Sequence, residues 1–198
     1  MKQPRKHLLC LLLALLLTGV LLAGCAADTA DANADLPVIT IGCDNYPPFT
    51  YVNSDGKPVG IDVELADEAF RRMGYRPEFV TINWAKKNEL LENGVIDCIW
   101  SSFSMSGRAD EYTWAGPYMY SHQVVAVMPD SDIQTLADLA GKTVVAEAGS
   151  AGETAISEDA GLSQAEYISK SVQTDCLMEV AAGTADAAVL DLTLANAM

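Results

Sequence analysis

Arg108 is the residue whose surroundings best suit it to bind an anion. It follows the polar stretch 101–107, which comes directly after a predicted buried strand. Its planar guanidinium presents parallel N–H donors that match the two oxygens of a carboxylate. A second interpretation is open, because Asp110 and Glu111 are near enough in sequence to form an ordinary surface ion pair with Arg108.

Asp191 is the corresponding candidate for binding a cation. It comes straight after the apolar run 187–190, and a carboxylate at the end of a buried strand requires a partner. Capping the next helix is its alternative role. Residues 92–97 and 181–186 repeat one pattern, in which a helix end, a glycine and an aspartate lead into an apolar strand. Because open α/β sheets place ligands at the carboxyl ends of strands, both strands are predicted to deliver a polar side chain to one cleft.

The segment 149–153 is predicted to begin a helix immediately after a strand. The N–H groups and the positive dipole end of such a helix can bind an anion. Ser150 and Glu153 also match a capping box, which explains the same residues without a ligand. The two roles are compatible, because a cap fixes the turn whose N–H groups face the anion.

Alternating strands and helices must position these groups. From Pro37 onward the apolar pattern switches between short strands and amphipathic helices, which is typical of a parallel α/β protein. We place a hinge between two such units at residues 118–127. The predicted strands are 38–43, 76–82, 95–100, 143–146, 165–168 and 187–190, and the predicted helices are 61–73, 85–93, 175–182 and one that Ser150 opens, with a hairpin around 53–56 and a short helix between 135 and 141.

The start of the chain has the layout of a bacterial export signal. Basic residues precede the aliphatic run 8–22, which is too short for a comfortable transmembrane span. The end of that run resembles the bacterial lipobox, in which Cys25 receives a diacylglyceryl group; an ordinary thiol near a cleavage site is the alternative. We therefore predict a lipoprotein signal peptide at 1–24 and a flexible tether at 25–37 that holds the protein on a membrane.

Composition argues against several classes of function. The formal net charge of −15 argues against nucleic-acid binding. The histidines, His7 and His122, cannot build a metal site and no metal-ligand spacing is present, so neither a metal nor a cofactor is predicted. A bridge between Cys43 and Cys98 is conceivable, but small buried thiols on neighbouring strands are the favoured interpretation.

A set of motifs extends over much of the chain. It comprises the helix start 60–65 with Ala69, the preceding Asp44, Tyr46, Pro48 and Phe49, and the later segment 114–118. From about residue 38 to residue 198 the chain resembles the periplasmic amino-acid-binding proteins of ABC transporters, bacterial extracellular solute-binding protein family 3. Two features depart from the family pattern: Phe70 stands where a small residue is expected, and the loop 104–108 is one residue shorter than usual.

The resemblance implies a role for each matching position. Tyr46 and Trp84 flank the ligand side chain, although either is also a plausible core aromatic. Arg108 binds the ligand carboxylate together with the backbone at the helix start, and Asp191 accepts the ligand ammonium. Ser102 and Ser104 add hydrogen bonds or merely cap the next helix. The implied ligand-binding residues are Asp44, Tyr46, Phe49, Trp84, Ser102, Ser104, Arg108, Ser150, Ala151, Gly152 and Asp191.

The resemblance also implies an α/β, two-lobed periplasmic-binding-protein-like fold of type II. We expect lobe 1 at residues 38–120 and lobe 2 at 121–198, with the second lobe and the return segment truncated, because the helical pattern at Met198 is unfinished. The implied function is binding of a small amino acid or related zwitterion and its delivery to an ABC transporter permease. The implied protein is a monomer, lipid-anchored outside the cytoplasm, and not an enzyme.

Two alternative functions remain. One is the ligand-sensing domain of a signalling receptor. The other is a periplasmic dehydratase-like enzyme on the same fold, with Glu153 or Glu147 as its acid. We expect no histidine and no second converging carboxylate in the cleft, which argues against the enzyme. Asp44 permits a polar or cationic ligand side chain, and the sequence pattern does not select one amino acid.

Overall fold

Two separate β-sheets organise the computed structural model, which describes residues 35–198. The predicted signal peptide, Cys25 and tether residues 26–34 lie outside that range. No helix within it is long and apolar enough to cross a membrane. The strands are β1 (Val38–Cys43), β2 (Tyr51–Val52), β3 (Pro58–Val59), β4 (Arg76–Thr81), β5 (Cys98–Ile99), β6 (Gln123–Val127), β7 (Thr143–Glu147), β8 (Glu166–Lys170) and β9 (Ala187–Asp191), and the helices are α1 (Ile61–Arg72), α2 (Lys87–Glu92), α3 (Ala151–Glu158), α4 (Gln173–Ala182) and α5 (Leu192–Ala197).

The first sheet places β1 between two parallel neighbours. Its order is β4-β1-β5, and β1 pairs with β4 along its whole length. Ile41 on β1 is fully buried with Ala66 and Phe70 of α1. Since the three strands run in the same direction, their carboxyl ends lie at one edge of the sheet. The segments that follow β1 and β5 therefore both begin at that edge.

Helix α1 packs on this sheet through Ala66 and Phe70, which are buried with Asp62, whereas Ile61 and Leu65 are exposed. The positive charges of Arg71 and Arg72 in its last turn interact favourably with the negative end of the helix dipole. Gly74, with φ of +81°, follows the helix in the left-handed conformation and ends it. Phe70, the large residue where the family has a small one, lies 6.0 Å from the ring of Trp100 in an edge contact. The departure from the family pattern is thus accommodated by aromatic packing.

The second sheet has the order β6-β9-β7-β8. Strand β7 is parallel to β8 and β9, whereas β6 is antiparallel to β9. The run 187–190 is fully buried, as the continuous apolar sequence of a central parallel strand requires. Because β7 and β9 are parallel, their last residues, Glu147 and Asp191, lie at the same edge of the sheet.

The repeated pattern seen in the sequence has a structural counterpart. In the first sheet the Thr40 N–H donates to the Asp97 carboxylate at 2.7 Å, and the Asp97 N–H donates to the Thr40 carbonyl at 2.8 Å. In the second sheet the Thr143 N–H donates to the Asp186 carboxylate at 2.8 Å, and the Asp186 N–H donates to the Thr143 carbonyl at 2.9 Å. Each aspartate therefore attaches the start of a strand to its neighbour, and the two sheets use one device.

Most predicted elements occupy their predicted positions, with two corrections. Strand β5 has two residues instead of the predicted 95–100, since it pairs with β1 at two positions and the Asp97 side chain takes the place of a further ladder bond. The predicted hinge 118–127 contains β6, which is part of the second sheet. We call residues 38–120 the first lobe and residues 121–198 the second lobe, and this boundary remains a prediction.

The cysteines of the described residues are free thiols. Cys43, Cys98 and Cys176 form no disulfide, so the conceivable bridge between Cys43 and Cys98 is absent. Burial raises the pKa of the Cys43 and Cys98 thiols to about 11 and that of Cys176 to about 12. They therefore act as small apolar residues of the interior.

Candidate functional site

One cavity lies between the two lobes and gathers most of the predicted site residues. Its volume is about 20 Å³, measured as the space open to the centre of a water molecule. That space holds about one water, so the walls must move apart to admit an amino acid. Its lining residues are Asp44, Tyr46, Trp84, Ser101, Ser102, Phe103, Ser104 and Arg108 from the first lobe and Glu147, Ser150, Ala151, Gln173 and Asp191 from the second.

Arg108 lies on the first-lobe wall of this cavity. Its guanidinium carbon is 5.1 Å from the centre of the Phe103 ring, and its carbonyl accepts a hydrogen bond from the indole N–H of Trp114 at 3.3 Å. Within residues 35–198 it makes no ion pair, so neither Asp110 nor Glu111 neutralises it. The guanidinium is therefore available to an anion in the cavity.

Phe103 is a cavity residue that the sequence analysis did not identify. Its ring contacts those of Trp84 at 5.2 Å, Tyr112 at 5.0 Å and Trp114 at 5.1 Å. These rings form a platform beneath Arg108, and a ring face attracts a guanidinium. The only sequence signal for this role was the position of Phe103 in the polar stretch before Arg108.

Ser102 is held in an unusual backbone conformation by a buried aspartate. Its φ is +49°, and its N–H donates to a carboxylate oxygen of Asp62 at 2.6 Å. The other Asp62 oxygen accepts a bond from the Tyr118 hydroxyl at 2.8 Å. Burial raises the pKa of Asp62, while these two bonds oppose that shift. Asp62 therefore positions the loop that leads to Arg108, a role beyond the helix-start preference read from the sequence.

Asp191 lies on the second-lobe wall and is held by amides, not by cations. Gln123 donates to one carboxylate oxygen at 2.7 Å, and Gln173 donates to the other at 3.4 Å. Asp191 occupies the N-cap position of helix α5, but its side chain makes no hydrogen bond to that helix. No lysine or arginine within residues 35–198 pairs with it. Its negative charge is thus fixed in place and free to bind a cation.

The start of helix α3 borders the same cavity. The Ser150 hydroxyl accepts the Glu153 N–H at 3.2 Å, and the Glu153 carboxylate accepts the Gly149 N–H at 2.6 Å. The predicted cap is present, with Glu153 reaching one residue further back than a standard capping box. The N–H groups of Ala151 and Gly152 open the helix and have no acceptor in its first turn.

Two buried carboxyl groups line the cavity from opposite lobes. Asp44 follows β1 and Glu147 ends β7, and they are close enough for the charge of Asp44 to act on Glu147. Burial, followed by the charge of Asp44, raises the pKa of Glu147 to about 9, and burial raises the pKa of Asp44. The expectation that no second carboxylate converges on the cleft was therefore wrong.

Lys87 lies at the contact between the lobes. Its ammonium donates to the carbonyls of Trp84 at 3.3 Å and Gly149 at 3.0 Å, and lies 5.1 Å from the Trp84 ring centre. Burial, then the charge of Arg108, lowers its pKa. The bond to Gly149 joins the first lobe to the second.

Two predicted ligand-binding residues do not line the cavity. Phe49 is buried behind Tyr46, with the ring centres 5.3 Å apart. Gly152 is buried against β9, where a Cβ would lie 2.6 Å from the Val189 carbonyl oxygen. Helix α3 therefore approaches β9 so closely at this position that only glycine fits. Phe103 and Gln173 line the cavity without having been assigned to it. Ser101 ends the strand that was predicted to reach the cleft, and Glu147 was named only as the acid of the alternative enzyme.

Comparison with known proteins gives one family. The family model for bacterial extracellular solute-binding proteins, family 3, matches residues 39–187. The putative amino-acid ABC transporter-binding protein PatH of Vibrio harveyi is 34% identical over 84% of this chain, and the histidine-binding periplasmic protein of Salmonella typhimurium is 33% identical over 80%. The chain spans 66% and 62% of the length of these two relatives.

Solved structures give the same fold. The arginine-bound form of truncated ArgBP from T. maritima superposes with a TM-score of 0.73 at 32% identity, covering 81% of this chain and 76% of that one. An ancestral amino-acid-binding protein described as a precursor of cyclohexadienyl dehydratase superposes with a TM-score of 0.72 at 27% identity, covering 78% and 70%. The fold is therefore the two-lobed α/β fold of the periplasmic amino-acid-binding proteins.

Proposed function

The chain belongs to the bacterial extracellular solute-binding proteins, family 3, and from this premise we propose that it binds a free amino acid between its lobes. One observation carries the proposal: Arg108 and Asp191, oppositely charged and without ionic partners among the described residues, line the same cavity from different lobes. A zwitterion has one group for each. The Arg108 guanidinium binds the carboxylate and the Asp191 carboxylate binds the ammonium.

Binding closes the lobes because each contributes only part of the site. The first lobe holds the ligand carboxylate through Arg108 and its side chain against Tyr46 and Trp84. The second lobe adds Asp191 and the free N–H groups at the start of α3, which reach the ligand when the lobes approach. The ligand therefore stabilises the closed form through contacts that the open form lacks. The relatives' names, which refer to amino acids, histidine and arginine, support this ligand class.

The bound amino acid is then delivered to the permease of an ABC transporter. The name of the Vibrio harveyi relative supports this partner. We further propose that the protein acts as a monomer anchored outside the cytoplasm by lipid on Cys25. Metabolic labelling with radioactive palmitate tests the anchor: wild type takes up label, and Cys25→Ser does not. Equal labelling of the two proteins would contradict it.

A second candidate, an enzyme of the dehydratase type, is favoured by the Asp44–Glu147 pair. A carboxyl group that keeps its proton near neutral pH is suited to general acid catalysis, and Glu147 has a pKa of about 9. Glu153, the other acid considered, is occupied by the Gly149 N–H and the Tyr167 hydroxyl. Mass spectrometry of candidate ligands, including cyclic carboxylic acids, after incubation with the protein separates the candidates: a binding protein returns them unchanged, and an enzyme converts one of them.

The experiment for amino-acid binding is a thermal-shift screen of the common L-amino acids, followed by calorimetry. We expect at least one to raise the melting temperature of wild type. Asp191→Ala should weaken its binding by about 2–5 kcal/mol, because the ammonium loses its buried counter-charge. The matched control is Asp130→Ala, which removes an exposed aspartate of the same lobe. An unchanged affinity in Asp191→Ala would overturn the assignment.

A further inference from the structure

The Asp44–Glu147 pair has no part in binding the two ends of a zwitterion. Glu147 is 1% exposed and Asp44 5% exposed, and both line the cavity. One Glu147 oxygen, Oε1, has no hydrogen-bond partner within residues 35–198. No arginine or lysine nitrogen of the described residues lies within 4.0 Å of either carboxylate. Two buried acids without a cation require another explanation.

We propose that Asp44 and Glu147 together bind a positively charged ligand side chain, so that the protein selects cationic amino acids over neutral and acidic ones. This inference rests on the proposed function and specifies its ligand. Asp44 belongs to the first lobe and Glu147 to the second. A guanidinium or ammonium between them therefore joins the lobes, as Arg108 and Asp191 do at the other end of the ligand.

The charges in and around the cavity support a ligand of net positive charge. The zwitterionic part of an amino acid uses Arg108 and Asp191, one charge of each sign. Asp44 and Glu147 remain, and the charge of Lys87 acts on Glu147. Lys87 is already bound to two carbonyl oxygens and supplies one positive charge against two negative ones. A ligand side chain with a single positive charge balances the site.

Two aromatic residues line the cavity together with its charged groups. Tyr46 is 2% exposed and Trp84 is 5% exposed. Aromatic faces can pack the aliphatic stem of arginine or lysine and attract its cationic end. Gln173 lines the same cavity, and its side chain donates to Asp191 at 3.4 Å.

Without a ligand, the pair keeps a proton in place of the cation. The groups that act on the pair are Lys87 from the first lobe and Gln173, Asp175 and Cys176 from the second, and none of them forms an ion pair with it. A cationic side chain lowers the pKa of both carboxyl groups. Its binding near neutral pH should therefore release a proton, and a neutral ligand should release none.

L-Arginine and L-citrulline form a matched pair of probes, because citrulline has a neutral urea group where arginine has its guanidinium. Calorimetry on wild type should give arginine an affinity at least roughly 100-fold higher than that of citrulline, as expected for charge-assisted bonds to a buried site. L-Lysine should also bind more tightly than L-glutamine. Titrations in buffers of different ionisation enthalpy should show proton release with arginine and none with citrulline.

Glu147→Gln tests the second-lobe carboxylate directly. It should reduce the arginine-to-citrulline ratio at least roughly tenfold and abolish most of the proton release, since the amide carries no charge. Asp44→Asn should reduce the same ratio from the first lobe. Glu158→Gln, the matched change at an exposed glutamate of the same lobe, should leave it unaltered. Thermal unfolding of each variant shows that it folds.

The outcomes separate this inference from the proposed function. If citrulline or glutamine binds wild type as tightly as arginine and lysine, the selection of cations is overturned while amino-acid binding stands. A ratio unchanged by both Glu147→Gln and Asp44→Asn also overturns the inference. If no amino acid binds, the proposed function and the inference fall together.

Discussion

The two lobes contribute to the cavity in different ways. The first lobe supplies Arg108 from a loop that rests on aromatic rings and is held at Ser102 by the buried Asp62. The second lobe supplies Glu147 and Asp191 as the last residues of adjacent buried strands. A loop supported by packing can adjust to a ligand, whereas a strand end is fixed by its ladder. We infer that the first lobe receives the ligand and the second provides a rigid, acidic wall.

Charge divides between the lobes in the same sense. Arg108 lines the cavity from the first lobe with Asp44, and Lys87 of the same lobe lies nearby. The second lobe contributes two acids, Glu147 and Asp191, with the uncharged Ser150, Ala151 and Gln173. An amino acid placed between the lobes therefore binds its carboxylate mainly to the first and its ammonium to the second. Substitutions in each lobe test this division, beginning with the one of largest expected effect.

Removing the first-lobe cation should have the largest effect. Arg108→Ala should weaken amino-acid binding by about 2–5 kcal/mol, because the ligand carboxylate loses the one arginine or lysine among the residues that line the cavity. Calorimetry with the amino acid selected in the screen measures the change. Arg72→Ala, which removes an exposed arginine paired with Glu68, should bind as wild type does. Similar affinities for the two variants would place the carboxylate elsewhere.

A matched glycine substitution in each lobe compares their rigidity. In Gly152→Ala the new Cβ meets the Val189 carbonyl oxygen at 2.6 Å, which is backbone and cannot yield, so we expect a loss of about 1–3 kcal/mol in the free energy of unfolding. In Gly42→Ala it meets the Ile96 Cδ1 atom at 2.5 Å, the end of a side chain that can rotate. Urea unfolding should show the greater loss in Gly152→Ala. The reverse order would contradict the rigid second lobe.

These site features differ in how far the sequence could predict them. Ser150, Arg108 and Asp191 were found because a strand end, a polar loop and a helix start leave local signals. Gln173 was missed because its approach to Asp191 depends on how α4 packs against β9. The same limit hid Asp44 facing Glu147, since the two residues are brought together only by the contact between the lobes.

The predicted fold followed the same rule. Strand β1 matches its predicted range, because alternation and a following proline-rich turn define it locally. Strand β5 was predicted too long, since the hydrogen bond from Thr40 to the Asp97 side chain is a tertiary contact. Phe49 was assigned to the ligand through the family pattern, yet it packs behind Tyr46. Burial of that kind cannot be read from a motif.

The acidic wall should also make folding stability depend on pH. Glu147 ionises at its ordinary value of 4.5 in the unfolded chain and near 9 in the folded protein. Between these values the unfolded state binds fewer protons, so this group makes the ligand-free protein less stable as the pH rises. We expect the stability of Glu147→Gln relative to wild type to rise by up to about 2.7 kcal/mol from pH 5.5 to pH 7.5, the linkage of one proton over two pH units.

Urea unfolding at the two pH values measures that difference without ligand. Glu158→Gln should follow wild type, because Glu158 is exposed. A stability difference between Glu147→Gln and wild type that stays constant with pH would contradict the raised pKa. The same variant should bind arginine less well, so stability and binding are expected to change in opposite directions.

Loss of the aromatic platform should have the smallest effect. Phe103→Leu keeps an apolar side chain but removes the ring beneath Arg108, and we expect amino-acid binding to weaken by about 0.5–1 kcal/mol. Phe79→Leu, in β4 and outside the cavity, is the matched control. Calorimetry should separate the two variants. Equal affinities would show that the rings stabilise the first lobe without positioning Arg108.

The most direct test of the account compares an amino acid with its analogue lacking the α-amino group, on wild type and on Asp191→Ala. Calorimetry should show that Asp191→Ala weakens the amino acid by about 2–5 kcal/mol and leaves the deaminated analogue almost unaffected, because only the former has an ammonium to lose its partner. Equal weakening of both ligands would contradict the claim that Arg108 and Asp191 hold opposite ends of a zwitterion.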